Sequence, residues 1–174
     1  MAEEERTQSE FSENVIAIDR VTRVVAGGRR FRFRALVVVG TGKGRIGVGI
    51  AKGADVQLAV TKAVNAAKRN LIDIPMHKGT IPHEVTAKVS GASILLKPAA
   101  PGTGLIAGGT VRAVLDVSGM SNILSKSLGS SNKVNVAYAT IEALTKLVPK
   151  SEWVTTKNEQ SGSKPTKAGK AETK

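Results

Sequence analysis

The sequence predicts an α+β protein built from two small units. Short runs rich in Val, Ile and Phe, typical of strands, are interspersed with two amphipathic segments of helical spacing, at 55–71 and 132–148. Between these segments, "DIPMHKGTIPHE" contains Pro75, Gly79 and Pro82, which break both helix and strand. Strands and a helix on each side of this break indicate two packed units in one chain.

The same break sets the expected domain boundaries. Both ends lack apolar periodicity and are rich in Lys, Glu, Ser, Thr and Gly, which is typical of disorder. The expected parts are an acidic disordered tail (1–13), a first unit (14–74), a linker (75–82), a second unit (83–150) and a basic disordered tail (151–174).

The first unit is predicted to be a three-stranded antiparallel sheet followed by a helix. Its strands and helix are expected at 15–25, 29–39, 45–52 and 55–71. Gly27 and Gly28 are typical of the hairpin turn between the first two strands. Asp55 is the expected N-cap of the helix. One helix face is apolar and should pack on the sheet, through Val56, Ala59, Val60, Ala63 and Ala67.

The second unit contains further strands, a short helix and a longer one. The strands are predicted at 84–90, 93–99 and 122–129, and the helices at 111–119 and 132–148. Gly119 should end the short helix, and the long helix should end before Pro149. Its apolar side is expected to comprise Val134, Ala137, Ile141, Leu144 and Val148.

Charge favours a polyanionic partner. The chain has 26 Lys and Arg against 14 Asp and Glu, a net charge of +12. The first thirteen residues are acidic, so the excess lies in the folded body. Lys and Arg that neutralise phosphates release condensed counterions, so a basic body of this kind favours nucleic acid.

Other functional classes have little support. Without cysteine the chain has no disulfide, thiolate metal site or thiol nucleophile. No apolar run is long enough to span a membrane, and no secretory signal is visible. His77 and His83 are expected to be solvated linker residues rather than a general base or metal ligands. We therefore expect a cytoplasmic, non-catalytic protein with no cofactor, metal or small-molecule substrate.

The glycine-rich stretch "VVVGTGKGRIGVGIAKG" at 37–53 raises a nucleotide alternative. Gly42, Gly44 and Gly47 have the spacing of a dinucleotide-binding loop, but such a loop opens a helix, and here apolar residues alternate with glycine as in a strand. A tight turn is favoured instead. Gly47 and Gly49 would then leave one strand face bare for a closely packed helix or, less readily, an RNA backbone. A nucleotide-dependent enzyme using 40–47 stays as the alternative.

The run "RRFRFR" is the more specific signal. Alternation along a strand would place Arg30, Arg32 and Arg34 on one face, with Phe31 and Phe33 in the core on the other. Residues 14–52 hold nine basic side chains against a single acid, so a phosphate clamp is more plausible than a solvated face. Its predicted members are Arg20, Arg23, Arg29, Arg30, Arg32, Arg34, Lys43, Arg45 and Lys52. Aromatic residues are sparse, which favours recognition of an RNA backbone and shape over base stacking.

Two long segments carry a family resemblance. "GGRRFRFRALVVVGTGKGRIGVGIAKGADVQLAVTKAVNAAKRNL" resembles the N-terminal part, and "KPAAPGTGLIAGGTVRAVLDVSGMSNILSKSLGSSNKVNVAYATIEAL" the C-terminal part, of the bacterial small-subunit ribosomal protein five family. The resemblance covers about 14–148. It implies an N-terminal fold like a double-stranded-RNA-binding domain and a C-terminal α/β domain with a left-handed βαβ crossover.

The resemblance also implies partners. They are small-subunit ribosomal RNA, ribosomal proteins four and eight, and messenger RNA where it enters the subunit, where the protein would support translational accuracy. Gly27, Gly28 and Arg29 match the family's RNA-contacting hairpin tip, and Arg20 and Arg23 match basic positions on the messenger side. The glycine-rich segment near protein four is matched by Gly102, Thr103, Gly104, Gly108 and Gly109. The expected RNA-binding set also includes helix positions Lys62, Lys68 and Arg69. A free RNA chaperone or helicase-like factor remains a further alternative.

Overall fold

The computed structural model describes residues 11–149 and 152–153. Its strands are β1 Ser12–Val25, β2 Gly28–Gly40, β3 Arg45–Gly53, β4 Ile72–Asp73, β5 Val85–Val89, β6 Ala92–Pro98, β7 Leu105–Ile106 and β8 Ile123–Ser127. Its helices are α1 Val56–Arg69, α2 Gly109–Ser118 and α3 Lys133–Thr145. The predicted α+β class is confirmed.

The first sheet is antiparallel and has the order β1-β2-β3-β4. The predicted sheet had three strands and lacked β4, whose two residues pair with Arg45 and Ile46 at the start of β3. A strand of two residues is too short to show an alternating pattern, so no sequence signal marked it.

Helix α1 lies on bare glycine backbone, as expected of a closely packed helix. Asp55 is its N-cap, and the carboxylate accepts a hydrogen bond from the Val56 N–H at 2.7 Å. A Cβ added at Gly47 would collide with the carbonyl oxygen of Ala67, and one at Gly49 with that of Ala63. The glycines of β3 therefore serve helix packing.

The second sheet has the order β5-β6-β8-β7. Strands β7 and β8 are parallel and are joined through α2, which makes a βαβ unit; its left hand stays a prediction. Gly119 ends α2 with a left-handed φ of +85°, as predicted. Helix α3 ends earlier than predicted, at Thr145, and Val148 is therefore 41% exposed instead of buried.

One hydrophobic cluster joins the two sheets, and a second, which we call the cluster beneath α1, lies between the first sheet and that helix. Leu36 and Val38 of β2 belong to the same cluster as Ile94 of β6 and Leu115 of α2, while Val37 faces α1. The first sheet is thus covered on both faces, which explains why successive valines of β2 are all buried. The segment 75–82 is also part of this core, since Ile81 is only 1% exposed.

Each predicted disordered tail includes residues that the structure places against the folded body. Strand β1 begins at Ser12, and Phe11 packs against the cluster beneath α1. At the other end, the Trp153 indole N–H donates to the Val148 carbonyl at 3.3 Å. The rest of both predicted tails, at 1–10, 151 and 154–174, lies outside the described residues.

Candidate nucleic-acid interface

Strands β1 and β2 extend beyond the rest of the first sheet as a two-stranded ribbon. Strand β3 ends at Gly53, opposite Phe33, whereas β1 and β2 continue to pair as far as Val25 and Gly28 at the tip. Residues 21–32, which we call the ribbon, therefore have no third strand beside them in the part of the chain that the structure describes. Five residue pairs at about 3.3 Å per residue give a projection of about 16 Å.

One face of the ribbon is basic, as the alternating arginines predicted. The register places Arg30, Arg32 and Arg34 on the same face, with Arg23 across from Arg30 and Lys52 across from Arg34. A surface groove of about 360 Å³, the arginine groove, lies here and is lined by Val21, Thr22, Arg23, Val25, Arg30, Arg32 and Lys52. No acid among the described residues lines it, so the groove suits an anionic ligand.

Arg34 differs from its neighbours because it is paired. Its Nη2 lies 2.7 Å and its Nε 3.2 Å from Oδ2 of Asp19, the residue directly opposite on β1. Arg34 therefore already has an anionic partner within the chain, and its contact with a phosphate stays a prediction. Counting outward from the hairpin tip pairs these two residues, so a sequence signal for the ion pair did exist.

The opposite face of the ribbon is apolar with a basic edge. The guanidinium carbon of Arg20 lies 3.7 Å from the centre of the Phe31 ring, which is 46% exposed, and Val24 nearer the tip is 75% exposed. The prediction of Phe31 as a core residue is wrong, because the ribbon projects past α1. Phe33, one pleat nearer the body, does pack against the cluster beneath α1.

Two predicted clamp residues lie far from the ribbon. Lys43 and Arg45 are at the other end of β3, and the seven residue-to-residue steps from Arg45 to Lys52 span about 23 Å. Arg45 is already paired, with its Nε 2.8 Å from Oδ1 of Asp73. The nine basic residues thus do not form one clamp.

The basic positions of α1 form a separate surface. Lys62 and Arg69 are exposed, as expected of the outer side of the helix. Lys68 is engaged, with its Nζ 3.1 Å from a carboxylate oxygen of Glu13 and 5.5 Å from the centre of the Phe11 ring.

The glycine turn at 40–45 holds a helix end, not a phosphate. Gly42 and Gly44 have the expected positive φ, +66° and +89°. The Gly42 N–H donates to the Val117 carbonyl at 3.2 Å and the Gly44 N–H to the Ser118 carbonyl at 3.1 Å. A phosphate cradle needs free amide hydrogens, and here the last carbonyls of α2 accept them. The nucleotide-enzyme alternative is therefore wrong.

The second glycine-rich segment is an exposed loop held by a residue that the sequence analysis missed. Gly102 and Gly104 both have positive φ, and each donates its N–H to Asn122 Oδ1 at 3.1 Å. The Thr80 hydroxyl donates to the Asn122 carbonyl at 2.6 Å. Thr103 is at the exposed tip of the loop. Nothing in the local sequence singles out Asn122, since its partners are 18 to 42 residues away.

The remaining two predicted glycines begin a helix. Gly108 is the N-cap of α2 and Gly109 its first residue; both are exposed, and no side chain caps this end. The predicted protein-contact residues therefore lie on one stretch of chain, from the Asn122-held loop through β7 to the start of α2.

His83 is engaged, so the prediction of a solvated linker residue is wrong. Its Nε2 accepts a hydrogen bond from the Val148 N–H at 3.0 Å, and its Nδ1 lies 2.9 Å from the Glu84 carbonyl. Because Nε2 accepts, the proton is on Nδ1. Within 11–149 and 152–153, no group of three or more His, Asp and Glu is arranged to hold a metal ion, and no helix has the length and apolar character to cross a membrane.

Comparisons with known proteins agree over both units. Residues 11–75 match the family model described as Ribosomal protein S5, N-terminal domain, and residues 87–154 match that described as Ribosomal protein S5, C-terminal domain. Small ribosomal subunit protein uS5 of Thermus thermophilus is 52% identical over 145 residues, which are 83% of this chain and 90% of that protein. The uS5 proteins of two individual strains of the same species have the same identity and coverage.

Proposed function

The chain belongs to the ribosomal protein S5 family, and from this we propose that it binds small-subunit ribosomal RNA through the β1–β2 ribbon. The family is structural and non-enzymatic. The chain is accordingly a structural constituent of the small ribosomal subunit. Its RNA contacts, protein partners, place in the subunit and cytoplasmic location belong to the proposal.

The observation that carries the RNA proposal is the pairing of charges. Five basic side chains form ion pairs within the described part of the chain, namely Arg34, Arg45, Lys68, Lys97 and Lys146. The basic residues of the arginine groove form none there. Like charges crowded on one ribbon repel, and an external polyanion relieves that repulsion.

The shape of the ribbon supports contact with the RNA backbone. Arg30 and Arg32 are two residues apart along β2, and Arg23 lies across from Arg30 on β1, so the three guanidiniums share the basic face and can bind neighbouring phosphates. Guanidinium forks bind phosphates bidentately, which fixes register without reading sequence. We propose that Gly27, Gly28 and Arg29 at the tip lead the ribbon into folded RNA.

The loop at 102–104 and the start of α2 are the proposed contact with ribosomal protein four. The two hydrogen bonds to Asn122 hold the loop in one conformation, which lowers the entropy lost on binding. From the family resemblance we also propose that protein eight contacts the second unit. Messenger RNA would pass near Arg20 and Arg23, which lie on opposite faces of β1, and the protein would support translational accuracy.

RNA binding as a function of salt tests the ribbon. Each phosphate contact contributes about 0.7–0.9 to the slope of log affinity against log salt. Replacing Arg23, Arg30 and Arg32 together by glutamine should reduce that slope, measured on a small-subunit ribosomal RNA fragment, by about 2 to 3. The control replaces Lys43 and Arg45, at the far end of β3, by glutamine as well and should leave the slope unchanged. Equal effects of the two sets would refute a ribbon interface.

Cross-linking and sedimentation test the place of the protein. The chain has no cysteine, so Thr103→Cys introduces a single thiol at the loop tip. A thiol cross-linker should join it to protein four in reconstituted subunits, whereas Thr61→Cys on α1 should not give that product. The wild-type protein should remain with small subunits after a high-salt wash; a free RNA chaperone would sediment away from them.

A further inference from the structure

We infer that the ring of Phe31 stacks on an RNA base, so that the two faces of the ribbon have different ligands. The arginine groove would hold phosphates, and the opposite face would hold a base. This inference rests on the proposed function and adds base recognition to an interface otherwise described by charge and shape.

The position of Phe31 is unlike that of the other phenylalanines. Phe11 and Phe33 pack against the cluster beneath α1, while Phe31 lies on the ribbon and is 46% exposed. On the same side of β2, Ala35 and Val37 are fully buried. The core therefore does not extend to Phe31, and no contact with either hydrophobic cluster of the described chain accounts for an aromatic ring there.

The ring is held in place by a cation. Arg20 lies over it with 3.7 Å between the guanidinium carbon and the ring centre, which is a cation–π contact. A ring fixed in this way loses little entropy when a ligand stacks on its exposed part. An arginine beside an aromatic ring is also a combination on which nucleobases stack.

The surroundings of the ring match a nucleotide in chemistry. Thr22 lies directly across from Phe31, and the exposed Val24 lies across from Arg29 nearer the tip. Arg20 and Arg29 therefore flank an apolar strip. A base on the strip with its phosphates at the two arginines satisfies both, whereas a neutral apolar protein surface would leave two cations facing it.

Fluorescence tests stacking directly. Trp153 is the only tryptophan, so the full-length chain with Trp153→Phe and Phe31→Trp reports from the ribbon alone. A single-stranded adenine oligoribonucleotide of about 16 nucleotides should quench this emission, because stacked bases quench indole. Heparin, a polyanion without bases, should bind without comparable quenching. Equal quenching by both, or none by the oligonucleotide while it binds, would overturn the inference; the second result is also the one expected if the ring faces a protein.

Affinity gives an independent measure with the native ring. Phe31→Leu should weaken oligonucleotide binding about 5- to 150-fold, the usual loss for one stacked base, and leave the salt slope and heparin binding unchanged. Phe31→Tyr should retain wild-type affinity, and Val24→Ala on the same strip should change it much less. If Phe31→Leu binds the oligonucleotide as tightly as the wild type does, stacking is refuted, while salt-dependent binding by the wild type still upholds the proposed function. If the wild type shows no salt-dependent RNA binding either, the proposed function itself is refuted.

Discussion

Replacing Gly49 with alanine is expected to destabilise the protein strongly, because the new methyl group has no space. Its Cβ would overlap the Ala63 carbonyl oxygen and lie 2.6 Å from the Ala67 amide nitrogen and 3.1 Å from the Ala63 carbonyl carbon. All three atoms are helix backbone, so α1 must move as a body, and the loss should be near the top of the usual overpacking range, about 3 kcal/mol. For a chain of this size that lowers the melting temperature by about 6–12 °C.

Thermal unfolding followed by circular dichroism measures the shift. Gly27→Ala is the matched control, because a Cβ there has nothing within 4 Å and its melting temperature should stay within about 2 °C of wild type. A Gly49→Ala protein that melted as close to wild type as this control would refute the close packing of α1 on the glycines of β3.

Three further changes test other parts of the structure. Asp19→Asn should release Arg34 and steepen the salt slope of RNA binding by up to about 0.9; an unchanged slope would contradict this. The free energy of unfolding should change by less than about 1 kcal/mol, because the ion pair is half exposed. Gly119→Ala combines a left-handed φ with overlap on the Gly42 carbonyl, so urea unfolding should show a loss of about 3 kcal/mol. Asp55→Ala removes the N-cap of α1 and should cost about 1 kcal/mol in the same assay, with no change in the urea m-value.

The parts of the fold that were predicted depend on short-range patterns. Runs rich in Val, Ile and Phe predicted β1 and β2, helical spacing predicted α1, and Asp55 and Gly119 predicted helix ends where the structure has them. The basic face of the ribbon also followed from the two-residue period of a strand. Each of these features depends on residues within one element, where backbone geometry and side-chain chemistry are local.

The errors occurred where another element decides the environment. Phe31 and Phe33 have the same pattern, yet one is exposed and one packs on the core, because α1 ends its coverage of β2 between them. Lys43 and Arg45 were grouped with the ribbon by proximity in sequence, but the strand direction carries them to its far end. His83 finds its partner, Val148, 65 residues away.

The sequence by itself determined the class of fold, the basic ribbon and, through its resemblance, the family. It could not determine what the glycine turn binds, because the carbonyls that accept hydrogen bonds from its amides belong to α2, more than 70 residues further along the chain. Only the tertiary structure brings Gly42 to Val117, and thereby decides that the turn joins the two units instead of holding a nucleotide. Local periodicity specifies which face of an element is apolar, but what covers that face depends on contacts between distant segments.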